Sequence, residues 1–558
     1  MEQARVVIAI VLSLLVFLVW NYFFTPQPPV NTKPPESVDQ KSEPQAPLVA
    51  EPTTPAASAP AAGTSAKPEP IGLPQETGAP ARKVTIETPL YRVVLSERGG
   101  VFSRFVLKNY KEKMGADAPL KEMIDQDLKS GIFQIGFANQ SIPNLGTAVF
   151  RIDNEQETVS IKDEPVAVSC TWTSGQGLAV TKEFVFDPQS YLIDMRVRVA
   201  NDPGQALADS LWVSMGKLFE EEKRMYGFTG ASTYMNGKLE QVALKKIAES
   251  EPMTGKMQWM ALQDRYFILS LVPKNENQGT LKIGMGPDGV VENRYTKPSQ
   301  AFGTESPQSE FQIYIGPKSL KLLKSYNNDL DKAINFGWFD IIARPLLYLM
   351  NYIHDNLVAN YGIAIIILTI ITKIIFWPLG NKSYKSMAEM KKLQPLIAEI
   401  REKYKGDKQR MNQETMALYR TYKVNPMGGC LPMVVQIPVF FALYRMLYEA
   451  IELRHAPFMG WITDLSAPDR LGNFSFSIPL MEPPYGIPVL TLVMGVSMLL
   501  QQKMSPPAGD PTQAKMMMIM PVVFIFIFIN FSSGLVLYWL VNNIISIGQQ
   551  YYTQKKHA

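Results

Sequence analysis

Lys373 is the residue with the clearest chemical opportunity, because it is the one cation within the apolar run Tyr361-Gly-Ile-Ala-Ile-Ile-Ile-Leu-Thr-Ile-Ile-Thr-Lys-Ile-Ile-Phe-Trp-Pro378. Thr369 lies one helical turn before it and Thr372 beside it. A charge at the centre of a membrane span costs about 2.5–3.5 kcal/mol on insertion scales, so an intramembrane lysine points to a working site. A second reading stands next to this one. Lys373 is about one turn short of Trp377, where a lysine can snorkel its amine to the headgroups. Gln436, Asn542 and Asn543 interrupt later apolar runs in the same way, whereas Arg445 and Glu449 lie near the end of theirs. Such groups either converge on a wet pocket or cross-link helices by hydrogen bonds. No acidic residue accompanies Lys373 at its depth, which favours a transient anionic or polar visitor.

Other chemistries find less support. A Ser–Lys hydrolase would use Lys373 as base and needs a serine within hydrogen-bond reach. Ser497, Ser532 and Ser533 are nearest by depth, but the last two fall at the opposite face of the membrane. Gly284-Met-Gly286-Pro-Asp-Gly289 has the G-x-G-x-x-G spacing, yet its Pro and Asp-Gly make a turn and no helical pattern follows, which excludes a nucleotide cradle. The three histidines (His354, His455, His557) are scattered, so neither a metal nor a cofactor is expected. A net charge of +4 is too mild to imply specific nucleic-acid readout. Cys170 and Cys430 fall in different compartments in the topology below, so no disulfide is expected between them.

The elements that must position these residues follow from composition. The chain has 558 residues, 46% hydrophobic and 19% charged, with the apolar residues pooled at 6–24 and after 336. Residues 1–24 have the shape of a signal peptide, but no small-x-small cleavage site follows, so they read as an uncleaved anchor. Residues 25–82, rich in Pro, Ala, Ser, Thr and Glu, cannot bury a core and read as a tether. Residues 83–332 carry short β-prone runs between turn signals and predict an all-β sandwich. The clearest strand is Tyr191–Val199, with Ile193, Met195, Val197 and Val199 on one face. Lys318–Asp331 predicts a closing helix.

Residues 336–355 place Asp340, Arg344, Asn351 and Asp355 on one side and Trp338, Ile341, Ile342, Leu346, Leu349 and Ile353 on the other, the pattern of an interfacial helix kinked or broken at Pro345. Spans follow at 357–378, 429–450, 487–503, 515–530 and 533–552, six with the anchor. Between the second and third, residues 381–424 form a helical hairpin, kinked at Pro395, in which eleven cations face five acids. By the positive-inside rule this hairpin is cytoplasmic, as are the loop 504–514, the tail 553–558 and the N-terminus, while the loop 451–486, with only two cations, Arg454 and Arg470, is external. The hairpin is either a solvated topology signal or a docking surface with methionines on one face.

Several stretches resemble the YidC/Oxa/Alb family of membrane protein insertases, in its Gram-negative form with a large periplasmic domain. They are Asn425-Pro-Met-Gly-Gly-Cys-Leu-Pro432, Glu452-Leu-Arg-His-Ala-Pro-Phe458, Gln502-Lys-Met-Ser-Pro506 and Ser533-Gly-Leu-Val-Leu-Tyr538. The order of anchor, β domain and five clustered spans is similar too. The resemblance implies an inner-membrane insertase and chaperone, not an enzyme, acting alone or with the Sec translocon on nascent membrane proteins. It implies a hydrophilic groove open to cytoplasm and lipid but closed outside. Onto that groove map Lys373, Thr369, Gln436, Tyr538, Trp539 and Asn542, with Phe440 on the apolar exit path. The family in Gram-negative bacteria commonly has arginine at the position of Lys373, and lysine keeps the charge but loses the bidentate fork. Lys385, Lys391, Lys392, Arg401 and Lys405 map to the segment that meets ribosome or targeting factors. A small-solute or ion transporter is the rival reading, but it would be expected to show inverted repeats, and none is visible.

Overall fold

The computed structural model describes residues 81–557, apart from 125–127, 129, 175–176, 202–206, 220–226, 275–276, 287, 304–307, 425–430 and 506–510. The expected anchor, nearly all of the tether, most of the Asn425–Pro432 motif and part of the loop 504–514 lie outside the described residues.

Alternation builds the β domain. In the strand Leu192–Asn201, Ile193, Met195, Val197 and Val199 are buried while Arg198 is exposed, because successive side chains of a strand point to opposite faces. This strand lies inside a thirteen-stranded sheet. A five-stranded sheet runs in the order 120–124, 101–111, 91–96, 83–87, 158–160, its last pair parallel. Aromatic rings join the two sheets: Phe102 lies 4.8 Å from Phe184, and Tyr91 lies 6.4 Å from Tyr191. Gly286 and Gly289 close a hairpin turn between the strands Gln278–Met285 and Val291–Thr296; no helix follows.

A lysine sits within this core. Lys182 is fully buried, and its Nζ donates to the carbonyls of Gly99 (3.2 Å), Gly100 (2.5 Å) and Phe133 (2.7 Å). Gly99 and Gly100 both have positive φ (75° and 54°), a turn conformation that glycine adopts at little cost. That turn leads into the strand Val101–Lys111, and Lys182 satisfies its inward carbonyls.

The expected helix over 318–331 is shorter than its pattern. Helix α1, Leu320–Ser325, gives way to the 3-10 turn Leu330–Ala333. Asn327 and Asp329 take left-handed backbone conformations (φ 52° and 59°) that interrupt it.

The remaining helices are α2 (Asp340–Asn356), α3 (Tyr361–Lys392), α4 (Gln394–Lys403), α5 (Lys408–Thr421), α6 (Leu431–Glu449), α7 (Val489–Met504), α8 (Pro511–Phe528) and α9 (Ser533–His557). By length and composition α3 is long and apolar enough to cross a membrane, and Val489–Met504 and Met517–Phe528 are shorter apolar helices. Residues 395–422 form a separate unit; within it, the Asp407 side chain caps α5 by accepting from Arg410 N at 2.9 Å.

Two expected boundaries shift. The apolar run from 357 starts its helix at Tyr361, because Asn360 caps it, accepting from Ile363 N at 3.1 Å. The helix also runs unbroken through Pro378 to Lys392, so residues 381–392 extend it and are not a hairpin arm. Pro345 likewise lies inside a continuous α2; neighbouring helices make proline tolerable in such settings. The polar side of α2 turns toward the protein. Arg344 binds Asp340 (2.6 Å), Asp331 (3.2 Å) and the Ile334 carbonyl (2.5 Å), and Asn351 is buried. Ile341 (83% exposed) and Trp338 (77%) face outward, as they would against the lipid of a membrane interface.

The β domain is fastened to the helices at named contacts. Arg265 donates to the Tyr448 carbonyl at 2.6 Å and stacks 3.7 Å over the Tyr448 ring. Arg454 donates to the carbonyls of Lys111 (2.7 Å) and Glu112 (3.0 Å). Ser319 donates to Glu452 at 3.2 Å, and burial raises the pKa of that carboxyl. Charged hydrogen bonds contribute about 1.5–3 kcal/mol each and desolvated cation–π contacts about 2. Arg265→Ala should therefore weaken the junction by about 2–4 kcal/mol. Hydrogen exchange near Tyr448 should accelerate while the strands of the large sheet stay protected; unchanged exchange would count against the contact.

Candidate functional site

Helix α9 packs along α3 and α7, and the first of these contacts creates the site. Gly380 permits it: a β-carbon there would lie 2.8 Å from Gln549 Nε2. Gln549 instead donates to the Trp377 carbonyl (3.0 Å) and to Asn381 Oδ1 (3.0 Å). Two turns before Gly380 on α3, Lys373 is only 6% exposed, and its Nζ donates to Ser546 Oγ at 2.7 Å. The amine therefore stays between helices, which is not the geometry of a snorkelling lysine. Tyr384 hydrogen-bonds the same serine. Among the described residues no carboxylate lies within ion-pair distance of Lys373.

A small cavity opens beside the amine, lined by Lys373, Phe376, Leu379, Gly380, Tyr384, Gln436 and Gln549. Two of the residues named from sequence, Lys373 and Gln436, thus share one wall. The other four take different places. Thr369 is fully buried, and its hydroxyl donates to the Ile365 carbonyl of its own helix at 2.6 Å. Thr372 does the same toward Thr369 O at 2.8 Å. Tyr538 is buried. Trp539 is half-buried in an aromatic cluster, 4.5 Å from Phe440 and 4.8 Å from Phe528. The groove residue Trp539 and the exit-path residue Phe440 are therefore in contact. Asn542 acts through its backbone, whose carbonyl accepts from Ser546 Oγ at 2.6 Å. Asn543 cross-links helices by donating to Ser497 Oγ at 3.1 Å.

Of the residues mapped to docking, Lys385, Lys391 and Lys392 are exposed on α3, Arg401 is half-buried on α4, and Lys405 is exposed in the link before α5.

Ser546, Tyr384 and Gln549 were not singled out by the sequence, although a signal for them exists. Asn542, Ser546 and Gln549 recur at i, i+4, i+7, and Lys373, Gly380 and Tyr384 at i, i+7, i+11, each marking one helix face. Ser546 also answers the hydrolase reading. It, and not Ser497, Ser532 or Ser533, is the serine beside Lys373. Its proton goes to the Asn542 carbonyl and its oxygen accepts from the lysine, so the lysine is not poised as a base. The serine positions the amine. Ser546→Ala should lower insertion by about tenfold, the value of one lost hydrogen bond to a charged group at the low end, about 1.5 kcal/mol. The check is a reconstituted insertion assay; unchanged insertion would remove Ser546 from the site.

Comparison with known proteins assigns the chain to a family. Residues 352–558 match the family described as 60Kd inner membrane protein, and residues 83–349 match the YidC periplasmic domain. The membrane protein insertase YidC of Syntrophobacter fumaroxidans is 42% identical over 572 residues, covering 100% of both chains. The chain belongs to the YidC family of membrane protein insertases. The YidC of Syntrophus aciditrophicus is 40% identical, with 99% of each chain covered. A crystal structure of an active YidC insertase with its first transmembrane domain resolved aligns over 85% of this chain and 94% of its own, at 19% identity and a TM-score of 0.37. Family membership makes this an inner-membrane protein with a large periplasmic β domain and a helical insertase core, and not an enzyme.

Proposed function

We propose that this chain inserts nascent membrane proteins by receiving their polar segments at Lys373, inside a hydrophilic groove open to cytoplasm and lipid. The observation that carries this reading is the amine itself: buried among helices, held by a neutral serine, beside a cavity and, among the described residues, without a carboxylate partner. A buried charge left unneutralised by the protein attracts anionic or polar groups of a passing chain. Gln436, Gln549 and Tyr384 offer the cavity both donors and acceptors.

The rest of the cycle needs no covalent step. A wet cavity shortens the apolar path that a translocating tail must cross. The substrate's own apolar segment supplies the driving force, at about 25 cal/mol per Å² removed from water. Phe440, Trp539 and their aromatic neighbours provide an apolar side along which that segment leaves. In this reading six spans place both termini in the cytoplasm and the β domain in the periplasm. Lys385, Lys391, Lys392, Arg401 and Lys405 face the ribosome or targeting factors, and the Sec translocon assists with larger substrates. The chain also acts as a chaperone while inserted helices pack.

The test is insertion of a small single-span protein into vesicles holding only this purified chain, beside Lys373→Ala. Insertion that falls in the variant supports the pocket. Equal insertion by both keeps the insertase and removes Lys373 from its centre. Ion flux without insertion would favour the transporter.

A further inference from the structure

We infer that the external hairpin preceding α7 is a lipid-binding element that seats its tip in the outer leaflet of the bilayer. The hairpin pairs Leu471–Phe474 with Tyr485–Ile487. Among residues 471–487 the only charged side chain is Glu482. Four apolar side chains are outward: Leu480 is 71% exposed, Phe476 61%, Ile487 44% and Leu471 43%. Phe474 stacks on Phe476 at 5.2 Å, which widens the apolar surface. An exposed apolar patch on a locally fixed backbone marks a place where something apolar is met.

The backbone is fixed. Asp469 accepts from Leu490 N (2.7 Å) and Thr491 Oγ1 (3.1 Å) at the start of α7. Arg470 donates to the carbonyls of Pro484 (2.9 Å) and Ile529 (2.8 Å). Asn530 accepts from Glu482 N (2.9 Å) and donates to Leu480 O (2.9 Å). Leu480 is held at φ 65°, a conformation a leucine rarely adopts. The hairpin is therefore tied to the external ends of α7 and α8, and its apolar side chains are held out of the protein interior.

The occupant follows from continuity. Ile487 stands two residues before Val489, the first residue of α7. Asn530, two residues past the end of α8 at Phe528, holds Glu482 N and Leu480 O, so the tip is tied near the level at which the helices end. The polar zone on each side of the hydrocarbon core is about 5–7 Å deep, so a hairpin lying flat reaches it. Leucine, isoleucine and phenylalanine with a single carboxylate suit the acyl–headgroup boundary and suit water poorly. This inference rests on the helical core being membrane-embedded, and the test below separates the two.

The experiment uses the full chain in proteoliposomes of neutral and anionic phospholipid, with a spin label at Phe476→Cys or, in a second variant, Leu480→Cys. Both are made in a Cys430→Ser background, in which the remaining Cys170 is buried. A label at Ile374→Cys on α3, exposed on the helix surface, reports embedding of the core, and one at Gly289→Cys on the exposed β turn reports water. The expected result is an inversion of relaxer preference. Labels at 476 and 480 collide more with oxygen than with a water-soluble nickel chelate, like 374 and unlike 289. A chelate preference at 476 and 480 with an oxygen preference at 374 would overturn the hairpin proposal alone. Low collision with both reagents would also overturn it, in favour of a protein partner on this face. A chelate preference at 374 would instead remove the embedded core.

Discussion

Lys373→Ala should lower insertion of a small single-span substrate by about ten- to a hundredfold in vesicles, while Lys373→Arg retains most of it. Hydrogen bonds to a charged group contribute about 1.5–3 kcal/mol, and each 1.4 kcal/mol is about tenfold. The geometry explains the asymmetry between the two variants. Among the described residues, the one hydrogen-bond partner of Lys373 Nζ is Ser546 Oγ at 2.7 Å. Two ammonium protons therefore remain for the cavity shared with Gln436, Gln549 and Tyr384. Alanine deletes the charge and orphans nothing but a neutral serine, whose proton already goes to Asn542 O. The fold should survive, so a loss of insertion reads as a loss of function. Arginine keeps the charge and adds donors, and its planar fork can meet the serine and a carboxylate together. The measurement is the inserted fraction against time for substrates with and without an acidic residue in the translocated tail. If charge attraction is the mechanism, the acidic tail loses more. Equal losses for both tails would leave hydration of the groove as the sole contribution, and no loss would sink the role of Lys373.

The sequence disclosed some parts of this arrangement and hid others for physical reasons. The strand Leu192–Asn201 was readable because a period of two has one interpretation when alternate residues are apolar. Lys373 was readable because a cation in an apolar run is conspicuous. Its burial was not, since snorkelling or pairing depends on which helix packs against α3. That helix proved to be α9, and the deciding contact, Gly380 against Gln549, joins residues 169 positions apart (549 minus 380). Ser546 hid for the same reason: serine is common in membrane helices, and only the register between α3 and α9 puts this one beside the amine. Thr369 was the opposite case. The resemblance placed it in the groove lining; in the structure its hydroxyl is satisfied by its own helix at Ile365 O, a local bond open to any helical threonine. Pro345 was expected to kink or break its helix because proline removes a helix donor, but α2 continues through it, as α3 does through Pro378.

Lys182→Met should destabilise the β domain, and the deficit should widen as pH rises from 7 toward 10. The side chains have similar length, so packing changes little. What methionine loses is the donor for three buried carbonyls, Gly99, Gly100 and Phe133. Leaving buried acceptors unmade costs about 1–3 kcal/mol apiece. Against that stands the relief of removing a buried charge. Burial pulls the pKa of Lys182 down from 10.5 to about 7, while the three carbonyls favour the ammonium and oppose that shift. The sign follows from proton counts. Below pH 7 folded and unfolded chains are both protonated, and the wild type carries the full cost of burying the charge. Between pH 7 and 10.5 the unfolded chain binds more protons than the folded one, so wild-type stability rises with pH by up to about 1.4 kcal/mol per unit. Methionine does not titrate, so its curve lacks this rise. At pH 6 the two effects offset in part and the deficit is about 1–3 kcal/mol; toward pH 10 only the carbonyl loss remains. Hydrogen exchange of the strand Leu178–Phe186 in the full chain, measured at several pH values and corrected for intrinsic rates, reads this locally. A deficit that stays constant across that range would mean that Lys182 remains an ammonium in the folded domain. The carbonyl cage would then outweigh desolvation at this site.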